Sequence, residues 1–532
     1  MVNELGNRWR CWLTVAIALL AISLSSCTTI ASSSTPSQNR QNSHILEFVP
    51  RQSLLTAVIN TRIKPDKLWR SSTLAVEFKR VSDSLFAPLA IDFDQDIRPW
   101  LGDEIAIVIT DKDLDRDQRN GRQTGYLLAA DIADGERLRE FLELFWQRQS
   151  VSGHSPVLAE DSGVPIIAGE ASQPNRKIAT AVVGDHTLLI ANDIKVLQQS
   201  LRVAQAHDLQ LIGRDCCSTN WVNLQVPDFL DWLGIATPEK LQLISTFQWQ
   251  QLQAAIELNS QKIVINTVLT GFNNSVLTSP DRGSDVSGSA PPSQYVPTDA
   301  AWAAMGHDLP HLWTEINREL THYQNLPSVI QQGQQWLSTQ LAQSLGIPLT
   351  RLLADYYAVA QLADGTWLLA ANNSNPMWIE QLDTLAINQG LTVSQLTLKG
   401  HLVTVWSRLK THVDGRNQET TVETDVVGVH TQIDTDNIFA TSLAGLTQAL
   451  TTPNLSTTQQ FQHALQSMDS PNQGYFYGTW SKLDRLLESN RWFSLVKPIL
   501  QPWSQSIDAI AVTSYGQTAN QSTGTVSILL KN

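Results

Sequence analysis

The feature that most constrains this chain is a set of strings that recur in one order. Phe48-Val49-Pro50 returns as Tyr295-Val296-Pro297, and Leu68-Trp69 as Leu312-Trp313. Tyr126-Leu127-Leu128-Ala129 returns as Trp367-Leu368-Leu369-Ala370. Leu189-Ile190-Ala191, with Ile194, Leu197 and Leu201 behind it, is tracked by Ile438-Phe439-Ala440 with Leu443, Leu446 and Leu450. The segment around Trp221 and Phe229 is tracked by Tyr475-Phe476-Tyr477 with Leu483, Leu486 and Leu487. Each echo lies about 240–255 residues after its first appearance. One echo would mean little, but five in sequence predict a tandem duplication, with copies at 45–272 and 295–532. Between them, residues 273–294 hold Ser, Asp, Gly and Pro-Pro without an apolar period and read as a linker.

Inside the first copy the periodicities are short and mixed. Ser53–Asn60, Glu104–Thr110 and Tyr126–Asp131 read as strands rich in β-branched residues. Pro65-Asp66 opens a helix towards Leu89, and Asp134 caps a helix whose stripe is Leu138, Phe141, Leu142 and Phe145. Short strands follow near 156–158, 164–168, 178–183 and 187–191, then a helix at 193–204, a strand at 220–225 and a helix from Pro227. A pair at 252–259 and 262–270 closes the copy. Strands joined by short turns, with a few helices, predict an α+β fold: a tandem duplication of a mainly antiparallel sheet with helices packed on one face. The regular strand–helix alternation of a doubly wound parallel sheet is absent from the pattern.

The N-terminus carries a different kind of signal. Arg8 and Arg10 precede an apolar run, Leu13 to Leu24, and small residues follow it. This is the layout of an export signal, and the run is shorter than the roughly 20 apolar residues that span a bilayer. Leu24-Ser25-Ser26-Cys27 resembles the lipobox of bacterial lipoproteins. The resemblance implies a signal peptide over 1–26, cleavage between Ser26 and Cys27, and a diacylglyceryl group on the Cys27 thiol, with acylation such as palmitate on the new amino group. It implies export and anchorage to the plasma or outer membrane, facing the periplasm. The competing readings are a plain secretory signal and an uncleaved membrane helix. The lipidated Cys and a tether make up residues 27–44, since Thr28 to Ser43 is dense in Ser, Thr, Gln and Asn and has no apolar period.

Charge narrows the partners. The formal net charge is −13, and no cluster of Lys and Arg offers a phosphate-tracking face, so nucleic acid is excluded as a partner. The same acidity leaves membrane attachment to the acyl chains. Cys11 falls in the signal and Cys27 takes the lipid, which leaves the adjacent Cys216 and Cys217. Two neighbouring thiols cannot form a disulfide framework; they either close a strained vicinal ring or stay reduced in a turn.

The most distinctive string runs from Asp92-Phe93-Asp94-Gln95-Asp96 through Ile97-Arg98-Pro99-Trp100-Leu101-Gly102 to Asp103-Glu104. With the Phe-Val-Pro opening and Gly125-Tyr126-Leu127-Leu128, it resembles an uncharacterised exported family, domain of unknown function 3352, frequent in cyanobacteria. That resemblance implies no reaction. Asp111, Asp113, Asp115 and Asp117 alternate and are candidate Ca²⁺ ligands, but the EF-hand template fails where it needs Gly and Glu and finds Arg116 and Arg122. A solvated hairpin tip ending at Asn120-Gly121 is the competing reading. His307, His311 and His322 are spaced for Zn²⁺ only if one helix holds them, and Pro310 interrupts it. Asp103 and Glu104 are neighbours entering a strand and point to opposite faces. No nucleophile elbow, zincin, P-loop or dinucleotide fingerprint occurs, and no cofactor is expected. The reading is a lipid-anchored envelope protein acting as a non-catalytic binding, scaffold or assembly factor for a protein or lipidic partner. The alternatives are an envelope hydrolase with an unrecognised site and a Ca²⁺-binding structural module.

Overall fold

The structure is a computed structural model that describes residues 44–61, 92–117, 119, 121–151, 156–170, 177–211, 220–232, 249–259, 261–271, 291–307, 356–372, 377–413, 420–451, 453–469, 472, 474–487, 506–517 and 521–531. These fall into two compact units, one within 32–275 and one within 276–531. Among the described residues no helix is long and apolar enough to cross a membrane.

In the first unit the strands are β1 (Leu55–Asn60), β2 (Leu101–Asp111), β3 (Gly125–Ile132), β4 (Val157–Asp161), β5 (Val164–Glu170), β6 (Lys177–Val183), β7 (Thr187–Ala191), β8 (Asn220–Gln225), β9 (Trp249–Leu258) and β10 (Lys262–Gly271). Helix α1 (Gly135–Val151) follows β3, α2 (Ile194–Ala204) follows β7 and α3 (Val226–Trp232) follows β8. All pairings are antiparallel, in the order β4-β5-β6-β7-β3-β2-β1-β8-β9-β10.

The second unit holds β11 (Ala300–His307), β12 (Tyr356–Leu362), β13 (Trp367–Asn372), β14 (Thr392–Leu398), β15 (His401–Val413), β16 (Thr420–Ile433), β17 (Asp436–Ala440), β18 (Gly474–Thr479), β19 (Ile507–Gln517) and β20 (Gln521–Leu530). Its helices are α4 (Met377–Asn388), α5 (Leu443–Thr451), α6 (Gln459–Leu465) and α7 (Trp480–Leu487). The order is β14-β15-β16-β17-β13-β12-β11-β18-β19-β20, again antiparallel throughout. Pairing order therefore recurs, and so does the seat of the Val-Pro opening. Pro50 bridges Gln210, and Pro297 bridges Asn454.

The expected fold class is nevertheless wrong. Within each unit the strands form an open antiparallel sheet covered by helices on both faces, not a duplicated sheet with a helical layer on one face. The physical reason is the side-chain alternation of the central strands, which are apolar on both sides. Ala106, Val108, Leu127, Ala129, Ala179, Ala181, Leu189 and Ala191 pack with Val196, Leu197 and Leu201 of α2. Their neighbours Ile105, Ala130, Ile178 and Leu188 turn the other way and pack with Leu138, Phe145 and Trp146 of α1. Successive side chains of a strand face opposite ways, so a strand apolar at every position must be covered twice.

The second unit repeats the arrangement. Val405, Val429, Ile438 and Ala440 share one core with Leu446 of α5 and Phe461 of α6. Trp406, His430 and Phe439 alternate with them and meet one another on the other face, where α4 supplies buried Leu382 and Ala386. Burying a side chain such as Leu197 or Leu446, both fully enclosed, contributes about 1.5–3 kcal/mol.

Candidate functional site

The distinctive acidic string builds a turn, not an ion cage. Asp92 caps a single π-turn, Phe93–Ile97, its carboxylate accepting from the backbone N–H of Asp94 and Gln95. Asp96 returns the bond by accepting from the Asp92 N–H at 2.8 Å. Asp94 pairs with Arg98 at 2.7 Å, and the Arg98 guanidinium lies over the Phe93 ring. This closed set of bonds aims Trp100 inward. Its indole N–H donates to the Asp96 carbonyl at 2.7 Å, its ring stacks on Phe141 of α1, and it is almost wholly buried.

Between that turn and α1 lies a cleft of about 230 Å³. Trp100, Phe141 and Phe145 form its apolar lining, with Leu144 at the rim, 51% exposed. Arg137, Glu140 and Arg148 add charge from the same helix, and Arg137 is held by the capping Asp134 at 3.4 Å. Small-molecule sites run to roughly 300–1,000 Å³, so this cleft suits one side chain or a short apolar segment, with charged groups at its margin.

The candidate Ca²⁺ ligands lie at the end of β2 and on the loop that follows it, where each described carboxylate bond is local. Asp111 accepts from the Asp113 N–H, Asp113 from Gln123, Asp115 from Asp117, and Asp117 from the Arg119 backbone and guanidinium. Arg119 outweighs the weaker effects of burial and Asp115 and holds the Asp117 carboxyl below its ordinary value. Among the described residues no group of three or more His, Cys, Asp or Glu side chains comes together as a metal cage.

What fixes this loop is a contact the sequence reading missed. Asp231 of α3 is buried and receives Lys112 at 2.9 Å and Arg122 at 2.9 Å. Arg122 also donates to the Asp231 carbonyl, and Asp228 receives Lys112 at 3.2 Å. Burial alone would raise the Asp231 carboxyl, but the bonds from Lys112 and Arg122 outweigh it and hold it below its usual value. For Lys112 the same balance runs the other way: burial would lower it, and the two aspartates keep it raised. Trp232 completes the junction by donating to the Thr124 hydroxyl.

A second missed cluster sits in the other unit. Asp383 of α4 accepts from the Trp406 indole at 2.7 Å and is bonded to His430 Nε2 at 2.9 Å. His430 is 4% exposed and lies against the rings of Trp406 and Phe439. Burial pushes the Asp383 carboxyl up, yet His430 and Trp406 together bring it below its ordinary range. The arrangement orients an imidazole, but encloses it among aromatic rings. Its one visible signal in the sequence is a histidine at an inward position of an apolar strand, which a buried polar group can occupy only with a partner.

Of the other candidates, His307 ends β11 and makes an edge contact with the Tyr356 ring. Asp103 and Glu104 are consecutive on β2. Cys27, the Ser26–Cys27 junction, Cys216, Cys217, Asn120, His311, His322 and the helix expected from Pro65 lie outside the described residues.

A family profile described as Protein of unknown function (DUF3352) matches residues 12–531. No curated protein matches the chain. Among solved structures, crystal form III of TP0453 is similar at 8% identity over 44% of this chain and 82% of that one, with a TM-score of 0.24. Crystal form IV gives 8% identity, 42% and 79% coverage and a TM-score of 0.27.

Proposed function

This chain belongs to the DUF3352 family, and from that premise we propose that it is a lipid-anchored protein of the cell envelope that works by binding, as a scaffold or assembly factor. The observation that carries the reading is Leu24-Ser25-Ser26-Cys27 behind a basic head and a short apolar run. Each buried CH₂ of an acyl chain contributes about 0.8 kcal/mol, and two or more chains on one cysteine make attachment stable where one chain would be reversible. The cleft over Trp100, with an exposed leucine at its rim and both signs of charge beside it, supports a protein or lipidic partner that offers an apolar group.

Two measurements test this. Metabolic labelling with a tagged palmitate should mark the parent chain and leave Cys27→Ala unlabelled; a parent chain without label sinks the anchor. A photo-crosslinking residue at Leu144 should capture a defined lipid or envelope protein, and Phe141→Ala should weaken the capture. Capture that ignores Phe141 would remove the cleft from the reading.

A further inference from the structure

Each unit's sheet ends in a hairpin strand, β4 in the first and β14 in the second, and the two differ in what they leave unprotected. Among the described residues β4 pairs only with β5, and β14 only with β15. Both are closed by two-residue turns with positive φ at both positions, Ser162-Gly163 and Lys399-Gly400. This geometry matches the twist of a hairpin and fixes the register of each edge. An edge strand presents a row of unpaired N–H and C=O groups, and proteins blunt it with charge, proline, bulges or short length. β4 is short and carries Glu160 and Asp161. β14 is seven residues long, Thr-Val-Ser-Gln-Leu-Thr-Leu, with no charged residue, no proline and no register shift against β15. Five of its seven residues, including Leu396, are exposed, and among the described residues none covers it. Leu402, opposite Thr397 on the neighbouring strand, is 61% exposed.

We propose that β14 is the contact through which two copies of this chain pair, strand to strand and antiparallel, across a two-fold axis. The occupant follows from charge. An isologous contact sets a surface against itself, so any charge near the axis meets its own sign. A chain with a net charge of −13 can tolerate that only along a neutral strip, and β14 is such a strip while β4 is not. Its hydroxyl, β-branched and leucine residues also suit pairing with a second strand of the same composition. An axis through Leu396 sets that leucine against its mate and Gln395 against Thr397 of the second copy. A seven-residue contact is small beside the roughly 1,200–2,000 Å² of stable complexes, so the pair is weak and its population follows local concentration.

The test uses the full chain in its own membrane, with Leu396→Cys as the reporter and mild oxidation. A disulfide-linked dimer should appear well above the parent, in which Cys216 and Cys217 set the background. Adding Gln395→Lys and Thr397→Lys, both at exposed positions, should lower that dimer about tenfold, equivalent to about 1.4 kcal/mol, by opposing like charges across the axis. Ala159→Cys on β4 should stay at background. The proposal fails if Leu396→Cys gives no dimer above background, if the lysines leave the dimer unchanged, if β4 links as readily, or if the cysteine is found joined to a different protein. It does not depend on how the N-terminus is anchored.

Discussion

At one position of the two units, the helix covering the second face is tied to the strand beneath it by different chemistry. Thr180 on β6 and His430 on β16 correspond: each stands three residues before the strand's last turn-side pair, Val183 with Thr187 and Ile433 with Asp436. In the first unit the helix donates, Trp146 Nε1 to the Thr180 hydroxyl at 3.0 Å. In the second the helix accepts, Asp383 taking Trp406 and His430. One tie is a neutral bond. The other is a carboxylate shared by two ring nitrogens. The same geometric need, fixing a helix on an apolar sheet, is met once without a titratable group and once with one.

The comparison can be broken at either end. The largest effect belongs to Asp383→Ala, which leaves the Trp406 indole and the buried His430 nitrogen without their acceptor. It should cost about 2–3 kcal/mol, read as a lowered melting temperature by calorimetry. Trp146→Phe keeps the ring and removes one neutral bond, so about 1 kcal/mol is expected from the same measurement. Equal costs would show that the charge on Asp383 adds nothing.

Acid sharpens the contrast. Asp383 is held below its ordinary value, so its contribution is full above the unfolded carboxylate range and is lost as pH falls through the folded value. The gap in melting temperature between parent and Asp383→Ala should therefore narrow below about pH 4, the unfolded carboxylate range, whereas the gap for Trp146→Phe should hold. The smallest effect is expected at Lys112→Met. Asp231 keeps Arg122, and Lys112 is partly exposed, so the loss should be about 0.5–1 kcal/mol. A loss as large as that of Asp383→Ala would mean that the β2–β3 loop matters more to stability than its exposure suggests.

Much of the local structure could be read from the chain. The strands at 104–110 and 126–131 and the helices after Asp134 and Asp193 follow from periodicity and a capping carboxylate, and both caps form. The architecture could not. Ile105-Ala106-Ile107-Val108 is an unbroken apolar run, and reading it as half-buried hid the second layer of helices. The alternating aspartates suggested cation ligands from spacing alone, which carries no information on local bonding; the described ones accept from a backbone N–H or an arginine. Lys112 and Asp231 stand 119 residues apart, and Asp383 and His430 stand 47 apart. Neither pairing leaves a spacing signal, since only the sheet brings the partners together.

The two faces of the first unit's sheet should drift differently under random change. Under α2 the strands expose alanine at 106, 129, 179, 181 and 191, so the helix lies close and an added methylene there has nowhere to go. Under α1 the space is taken by Trp100, Phe141, Phe145 and Trp146; hydrogen bonds hold the two indoles, and the two phenyl rings can tilt to absorb a small change. A library of single substitutions should thus map one surface as brittle and its reverse as forgiving, though both are equally dry.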